Sequence, residues 1–484
     1  MVDTIRQVGR SSKRVRIGDP DPQLTGNAGM LAVTELVDRL RLVESIDVAT
    51  GPIKQRRRGV GAGGLLVGFA SAQLAGQDFL TGLDRVRADA AGQQLVPVPG
   101  LATSTASGLA MRIQSAQWRA VEVGVAAVNR RMLGMVPAPR RAALQAAATI
   151  DIDATDVEVY GRRKRGVAYN YAGQRCGRPH VAVWAQTQTV LAADLLSGDQ
   201  DPRPGAVGLL QRALEGLPPT VRAGQVSLRA DAGYFAGDLA RAARARGVRF
   251  AIGAKRIPTM WRALAGIDET AWADAKDMTD TQVAVADYAP ADWPEETHLI
   301  IRRVRLDPAQ VSTDARSRRR RTLHPDQRAL PIAELAHADA IYAYSFILTD
   351  LDCSTPAKTV AIEHWYRHRT TVENVFRDGK HGAALVHLPS GHPQINRAWM
   401  WGALLAVGIA GWLHELTATT DQHGRQNGWG VRDGKAMIAT LRRRLIATPA
   451  RLVRHARTLI VRPAPGHDLL AVVLTRIHAL PTLP

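Results

Sequence analysis

The chain has 484 residues, more than one ordinary hydrophobic core accommodates, so several domains are expected. It carries 63 Lys and Arg against 44 Asp and Glu, a formal net charge of +19, which points to a polyanionic partner, nucleic acid ahead of an anionic membrane. Its two cysteines, Cys176 and Cys353, exclude a disulfide-stapled scaffold and suit a reducing, cytoplasmic setting, and the first residues hold no apolar stretch of the secretory-signal kind.

Residues 1–145 read mostly as helices. Met30–Leu42 and Leu65–Leu80 carry apolar residues at helical spacing, and Thr103, Ser104 and Thr105 offer caps for a helix through Ile113. Short helices with basic loops suit a helix-turn-helix type DNA reader as well as a plain packing domain; the region is expected to be a helical DNA-binding part of the chain. Gly59–Gly64 satisfies a Gly-x-Gly-x-x-Gly pattern but follows the basic stretch Lys54–Arg58 rather than a strand. A flexible basic turn is the better reading than a dinucleotide site.

The texture changes near Ala148. Thr149–Asp153 alternates like a strand, and His180–Gln186 and Val190–Leu196 are two more, tightly joined. Ala206–Leu217 reads as a helix, Val226–Asp231 as a strand, Leu239–Arg246 as a helix and Val248–Ile252 as a strand. That order over residues 146–255 is the order of an α/β, ribonuclease-H-like mixed sheet. Residues 256–340 are irregular, with Trp261, Trp272, Trp293 and the run Arg316–Arg321, and read as an inserted domain that interrupts the core. Ala343–Thr349 is strand-like again, so 341–416 carries the second part of the core, beginning with a helix that Thr355 caps and Pro356 opens. Ala398–Leu413 is a long uncharged run, too short for a bilayer span, and reads as a buried core helix. Residues 417–484, with Arg442–Arg444, read as a basic helical region.

Four residues of the helix after Pro356 form Tyr-x2-Arg-x3-Glu-x6-Lys: Tyr366, Arg369, Glu373 and Lys380. At about 100° per residue their side chains fall within a sector of about 60° on one continuous helix. Gly379 is a candidate for its end, which would put Lys380 just past the last turn. His364 and His368 have a zinc-like i, i+4 spacing but face the other way. Two further acids, Asp153 and Asp231, follow apolar strands and so stand at a sheet edge where ligands bind. Two Asp and one Glu from separate elements can hold two divalent cations about 4 Å apart, and Mg2+ suits all-carboxylate ligation, with Mn2+ able to substitute. Arg162, Arg163, Lys164 and Arg165 come soon after Asp153 and are candidates for phosphate contacts.

On these residues the chain resembles the DDE transposases of bacterial insertion sequences, in the branch with this Tyr-Arg-Glu-Lys signature, the transposase DDE domain group 1 type. Asp-Ile-Asp-Ala-Thr-Asp is similar to the family's first acidic block, with its acid on Asp153 and Thr155 two residues on. Arg-Ala-Asp-Ala-Gly-Tyr is similar to the second, on Asp231, and Val-Glu-Asn-Val-Phe-Arg-Asp to the third, on Glu373. The resemblance covers residues 148–416 or so, with a looser echo on both sides. It implies catalysis and metal ligation by Asp153, Asp231 and Glu373, and DNA contacts by Tyr366, Arg369, Arg377 and Lys380. It also implies binding of terminal inverted repeats, hydrolysis at the element's ends and joining of 3′-hydroxyls to double-stranded target DNA, by a homodimer or larger synapse with no membrane part. Two alternatives stand beside it: a related metal-dependent nuclease without strand transfer, and a DNA-binding protein whose active site is no longer used.

Overall fold

The computed structural model describes the chain except residues 1–5, 8–13, 16, 55–58, 312–313, 315–316, 318–319, 336–339, 421–425, 432–433 and 484. It is a mixed α/β molecule with one large mixed sheet and many helices. Before the sheet come α1 (Met30–Arg39), α2 (Leu42–Thr50), α3 (Ala62–Leu74) and α4 (Ser115–Met135). The glycine pattern expected as a turn instead opens α3. Gly63 donates its N–H to Asp47 Oδ1 at 2.6 Å, and a Cβ there would collide with the Val43 carbonyl, so glycine is what lets α3 close on α2.

The sheet begins with β1 (Ala147–Ala154), which the alternation of Thr149, Ile150, Asp151 and Ile152 predicts. Short β2 (Val157–Glu158) and β3 (Ala168–Tyr169) lead to the long hairpin β4 (Arg175–Trp184) and β5 (Thr189–Ser197). Then α5 (Arg203–Gly216), β6 (Gln225–Ala230), α6 (Gly237–Arg244) and β7 (Arg249–Ala254) follow as expected. The order across this part is β5-β4-β1-β6-β7. β4 is antiparallel to both its neighbours, β5 and β1; β6 and β7 run parallel to β1, and parallel neighbours of this kind need a crossover such as α6 supplies between them.

Residues 256–340, expected as an insertion, extend this same sheet. β8 (Ala273–Asp274), β9 (Thr281–Ala286) and β10 (His298–Leu306) form an antiparallel meander onto β11 (Ile341–Thr349), and β11 pairs with β7. Within the arginine run, residues 316, 318 and 319 lie outside the described residues. Arg320 is not a solvated cation: it is buried and donates to the carbonyls of Arg328 and Leu330.

Thr355 caps α7 (Pro356–Arg367) through the Lys358 N–H, as its sequence predicts. After α8 (Thr370–Gly382), α9 (Pro393–Thr417) is buried almost throughout and packs on α3 and β5. Among the described residues no helix is long and apolar enough to cross a membrane. The C-terminal region is not simply helical. β12 (Ala450–His455) and β13 (Thr458–Pro463) form a hairpin, and β12 pairs with the short strand Leu24–Thr25; α10 (Leu469–His478) then packs on α1. Arg451, Arg454 and Arg462 mask this hairpin in the sequence by interrupting Leu452-Val453 and Leu459-Ile460-Val461, runs whose branched side chains favour strand. Arg442 is also structural, donating to the carbonyls of Gln73, Leu74 and Gly382.

Candidate active site at the carboxyl ends of the parallel strands

β1 and β6 pair in parallel with Ile152 opposite Ala230. The next residue on each strand is an acid, so Asp153 and Asp231 leave the sheet side by side, about 5 Å apart along the hydrogen-bonding direction. Both border a cleft of about 950 Å3. Asp231 caps the following turn by accepting the Gly233 N–H at 2.8 Å; it has no ion-pair partner among the described residues. Burial, then the charge of Asp231, push the Asp153 carboxyl up to about 6, against the pull of Arg369.

The signature residues do not lie on one continuous helix. α7 stops at Arg367 and α8 starts at Thr370. Between them the N–H groups of His368, Arg369, Thr371 and Val372 each bond to the carbonyl three residues back. That is a tightened, 3-10-like step in which each residue turns about 120° instead of 100°. Two features favour the break: Thr371 Oγ1 donates to the His368 carbonyl at 2.9 Å, and Thr370-Thr371 is a β-branched pair of low helix propensity. Gly379 does not end α8, which runs on to Gly382, so Lys380 lies inside the last turn.

Despite the break, the four side chains converge on the ends of β1 and β6. Tyr366 donates its hydroxyl to the Ala230 carbonyl at 3.0 Å, and burial pushes that phenol up to about 12. Arg369 reaches Asp153 Oδ2 with Nη1 and Glu373 Oε1 with Nη2, each at 3.0 Å. Burial opposes the Arg369 cation, but the attraction of Asp153, Tyr366, Asp231 and Glu373 outweighs it and raises its pKa. Lys380 Nζ donates to Thr155 Oγ1 and to the Asp156 carbonyl, both at 2.8 Å; burial lowers its pKa against the attraction of Asp156. The basic members of the signature are therefore engaged within the protein itself.

The remaining candidates are not among the residues that line the cleft. Arg377 is exposed on α8 and donates to Asn374 at 2.8 Å. Arg162, Arg163 and Arg165 are exposed in the loop between β2 and β3, with Arg165 Nη2 2.8 Å from His392 Nδ1. Lys164 is turned inward, bonded to the Leu388 carbonyl, and burial lowers its pKa.

Sequence reasoning missed the pair that anchors this site. Arg229 on β6 makes two bonds to Asp151 on β1, at 2.7 and 2.9 Å, and both are buried. Arg229 also donates to the Trp365 carbonyl and lies 5.1 Å from the Trp365 ring, whose Nε1 donates to Thr149 Oγ1. Thr149, Asp151 and Asp153 share one face of β1 at the strand period of two. Thr149 holds Trp365 directly, Asp151 holds it through Arg229, and Asp153 holds Arg369. The period-two pattern Thr-x-Asp-x-Asp was the available signal.

No group of three His, Cys, Asp or Glu side chains among the described residues is assembled for a metal ion. In chemistry the donors fit a hard divalent cation: two adjacent carboxylates at one strand edge, with a third one guanidinium away. Arg369 stands between Asp153 and Glu373 and supplies the positive charge there.

A family model described as transposase DDE domain group 1 matches residues 9–314 and 327–482. The chain belongs to this family of DDE transposases. No curated protein matches it. Among solved structures, a piggyBac transposase synaptic complex with hairpin DNA, determined by cryo-EM, aligns over 94% of this chain and 82% of that chain at 10% identity, with a TM-score of 0.40. At that score the likeness carries no argument about this molecule.

Proposed function

We propose that this chain is the transposase of an insertion sequence: it binds the element's terminal inverted repeats, cuts its ends by metal-dependent hydrolysis and joins the 3′-hydroxyls to target DNA. The observation that carries this reading is the placing of Asp153 beside Asp231 at the ends of adjacent parallel strands, with Glu373 linked to Asp153 through Arg369. The strand order β5-β4-β1-β6-β7 supports a ribonuclease-H-like core. The net charge of +19 supports duplex DNA as partner, and the need to bring two element ends together supports a homodimer or larger synapse.

Asp153, Asp231 and Glu373 would hold one or two Mg2+ ions, with Mn2+ as substitute. Bound metal would offset charge on the phosphodiester and lower the pKa of water. The chain's own groups do the rest. Asp153 gives up its proton above about pH 6, and Asp231 beside it adds a second anionic donor. Arg369, freed from its carboxylates, presents a two-pronged donor to a phosphate beside the scissile bond. Lys380 fixes the Thr155–Asp156 segment that follows Asp153, and so sets the angle of that acid.

The test uses duplexes copied from the DNA that flanks the gene and carries the inverted repeats. Asp153→Ala, Asp231→Ala and Glu373→Ala should each abolish end cleavage while leaving end binding largely intact, since a methyl group cannot replace a carboxylate ligand. Strong cleavage by the Glu373→Ala protein with magnesium would falsify the triad. Cleavage without joined product in the wild type would favour a nuclease without strand transfer.

A further inference from the structure

Exposed tyrosines flank the loop that carries Arg162, Arg163 and Arg165: Tyr160 at its start, Tyr169 on β3 and Tyr171 in the turn from β3 to β4. Tyr160, Tyr169 and Tyr171 are 85%, 68% and 98% exposed. Among the described residues the only other Phe, Tyr or Trp so exposed is Phe79, which stacks on His387. Three bare rings within residues 160–171 gain nothing for folding, because an aromatic side chain stabilises the fold by being buried. Tyr169 and Tyr171 line the same cleft as Asp153 and Asp231.

Their mounting is rigid. Asn170, buried between the two rings, accepts the N–H groups of Ala172 and Gln174 at 3.0 and 2.9 Å, which closes the turn that presents Tyr171. Its Nδ2 donates to Asp156 Oδ2 at 2.8 Å, and Asp156 pairs with Arg178 at 2.7 Å. The Asp156 carbonyl in turn holds Lys380 of α8. The turn that presents the rings is thus fixed and tied to the segment that bears Asp153.

We propose that Tyr169 and Tyr171 form a stacking platform for unpaired bases of a DNA strand running through the carboxylate cleft, with Arg162, Arg163 and Arg165 taking up its phosphates beyond the cleft. The proposal rests on the reading of this cleft as the DNA-cutting site. Paired bases are already stacked on their neighbours, so only unpaired ones offer a free face to a tyrosine. Exposed rings and exposed guanidiniums within residues 160–171 offer partners to both the bases and the phosphates of a single strand. The platform therefore takes single-stranded ends or opened base pairs at the cut site, whatever their sequence.

The full chain, with a chelator present so that no cleavage intrudes, is titrated into a labelled oligothymidylate of about twenty nucleotides and, separately, into a blunt random duplex of similar length. Tyr169→Ala and Tyr171→Ala should each weaken oligothymidylate binding by about tenfold and duplex binding by less than about twofold. Tyr→Phe at the same positions should restore binding, since the ring and not the hydroxyl does the stacking. Unchanged oligothymidylate binding, equal losses on both DNAs, or failure of Phe to restore binding overturns the platform. So does an Ala variant that breaks up an oligomer of the wild type while binding DNA normally, because the rings then cover a second copy of the chain. A wild type that cuts element ends but ignores oligothymidylate overturns this inference alone. One that binds oligothymidylate through the tyrosines but never cuts leaves the platform standing and overturns the proposed function.

Discussion

Arg369 sits where the sequence leads one to expect a metal, and its position follows from charge. Asp153 is buried beside Asp231, and two such carboxylates without a cation would face both desolvation and mutual repulsion. The guanidinium offsets part of this charge at Asp153 and extends to Glu373, while Asp231 has no ion-pair partner among the described residues. A second buried group stores a pH dependence. His180 on β4 is fully buried, neither ring nitrogen has a hydrogen-bond partner among the described residues, and its ring stacks 5.7 Å from Tyr234. Burial, aided by Arg212 and Arg178 against Asp194, lowers its pKa to about 4. The unfolded chain binds this proton near pH 6.5, so between 6.5 and 4 the unfolded state holds more protons and stability falls as pH falls. The loss is at most about 3 kcal/mol. Asp153 acts in the opposite direction over much of that interval, because its raised pKa favours the folded state as it protonates. The clean measurement is therefore a difference: in urea titrations from pH 7 to 4, His180→Leu should lose less stability than the wild type. Parallel profiles for the two proteins would remove the histidine from the account.

At the scale of elements, the sequence was most legible where periodicity was undisturbed. The three strands, helix, strand, helix, strand of residues 147–254 could be read because Ile150 and Ile152, Val226 and Leu228, and Phe250 and Ile252 alternate cleanly between polar neighbours or turns. β10 was obscured because Arg302, Arg303 and Arg305 break up its apolar residues Leu299, Ile300, Ile301, Val304 and Leu306, and Arg303 is buried by Glu269 and the rings of Trp272 and Tyr342 instead of by hydrocarbon. Of the site, the identities of the residues were legible but not their partners: nothing in a helical wheel shows that His368 and Arg369 leave the helix. That break can be tested by comparing neighbours across it. His368 is exposed, its ring Nδ1 lies 2.7 Å from the His364 carbonyl of α7, and it packs on the His364 ring at 4.5 Å. His368→Ala should lower thermal stability slightly, by about 1 kcal/mol or less, and leave end cleavage unchanged at a temperature where the protein is folded. Arg369→Lys should reduce cleavage on every end sequence alike, since an ammonium has no planar fork with which to grip a phosphate. Loss of cleavage in a well-folded His368→Ala protein, with Arg369→Lys unimpaired, would mean that the functional face of this segment is the histidine face.

For the molecule as a whole, the division into a DNA-binding N-terminal region and a catalytic core meets a physical obstacle: the two share their hydrophobic interior. α3 lies against α9, with Phe69 5.8 Å from Trp399 edge to face and Gln73 Nε2 donating to the Trp399 carbonyl at 3.2 Å. Trp412 of α9 donates to Asn129 of α4 at 2.9 Å, and Glu122 of α4 pairs with Arg212 of α5 at 2.9 Å. The C-terminal hairpin closes onto Leu24–Thr25. Removing residues 1–145 would bare the faces of α9 and β5 that α3 and α4 now cover. Leu65, Leu66, Phe69 and Leu74 of α3 alone are fully buried, and at about 2 kcal/mol each their burial is comparable to the whole margin of about 5–15 kcal/mol by which a domain stays folded. The 146–484 chain is therefore expected not to melt cooperatively and to be cut rapidly by protease throughout β5 and α9, whereas the full chain resists. Calorimetry and limited proteolysis of the two chains decide the point. A soluble 146–484 chain with a sharp melting transition would show that the N-terminal helices are a detachable module after all. If the shared core holds, recognition of the element's ends must be mapped by substitutions at exposed basic residues of the intact chain, because deletion would remove the fold together with the contacts.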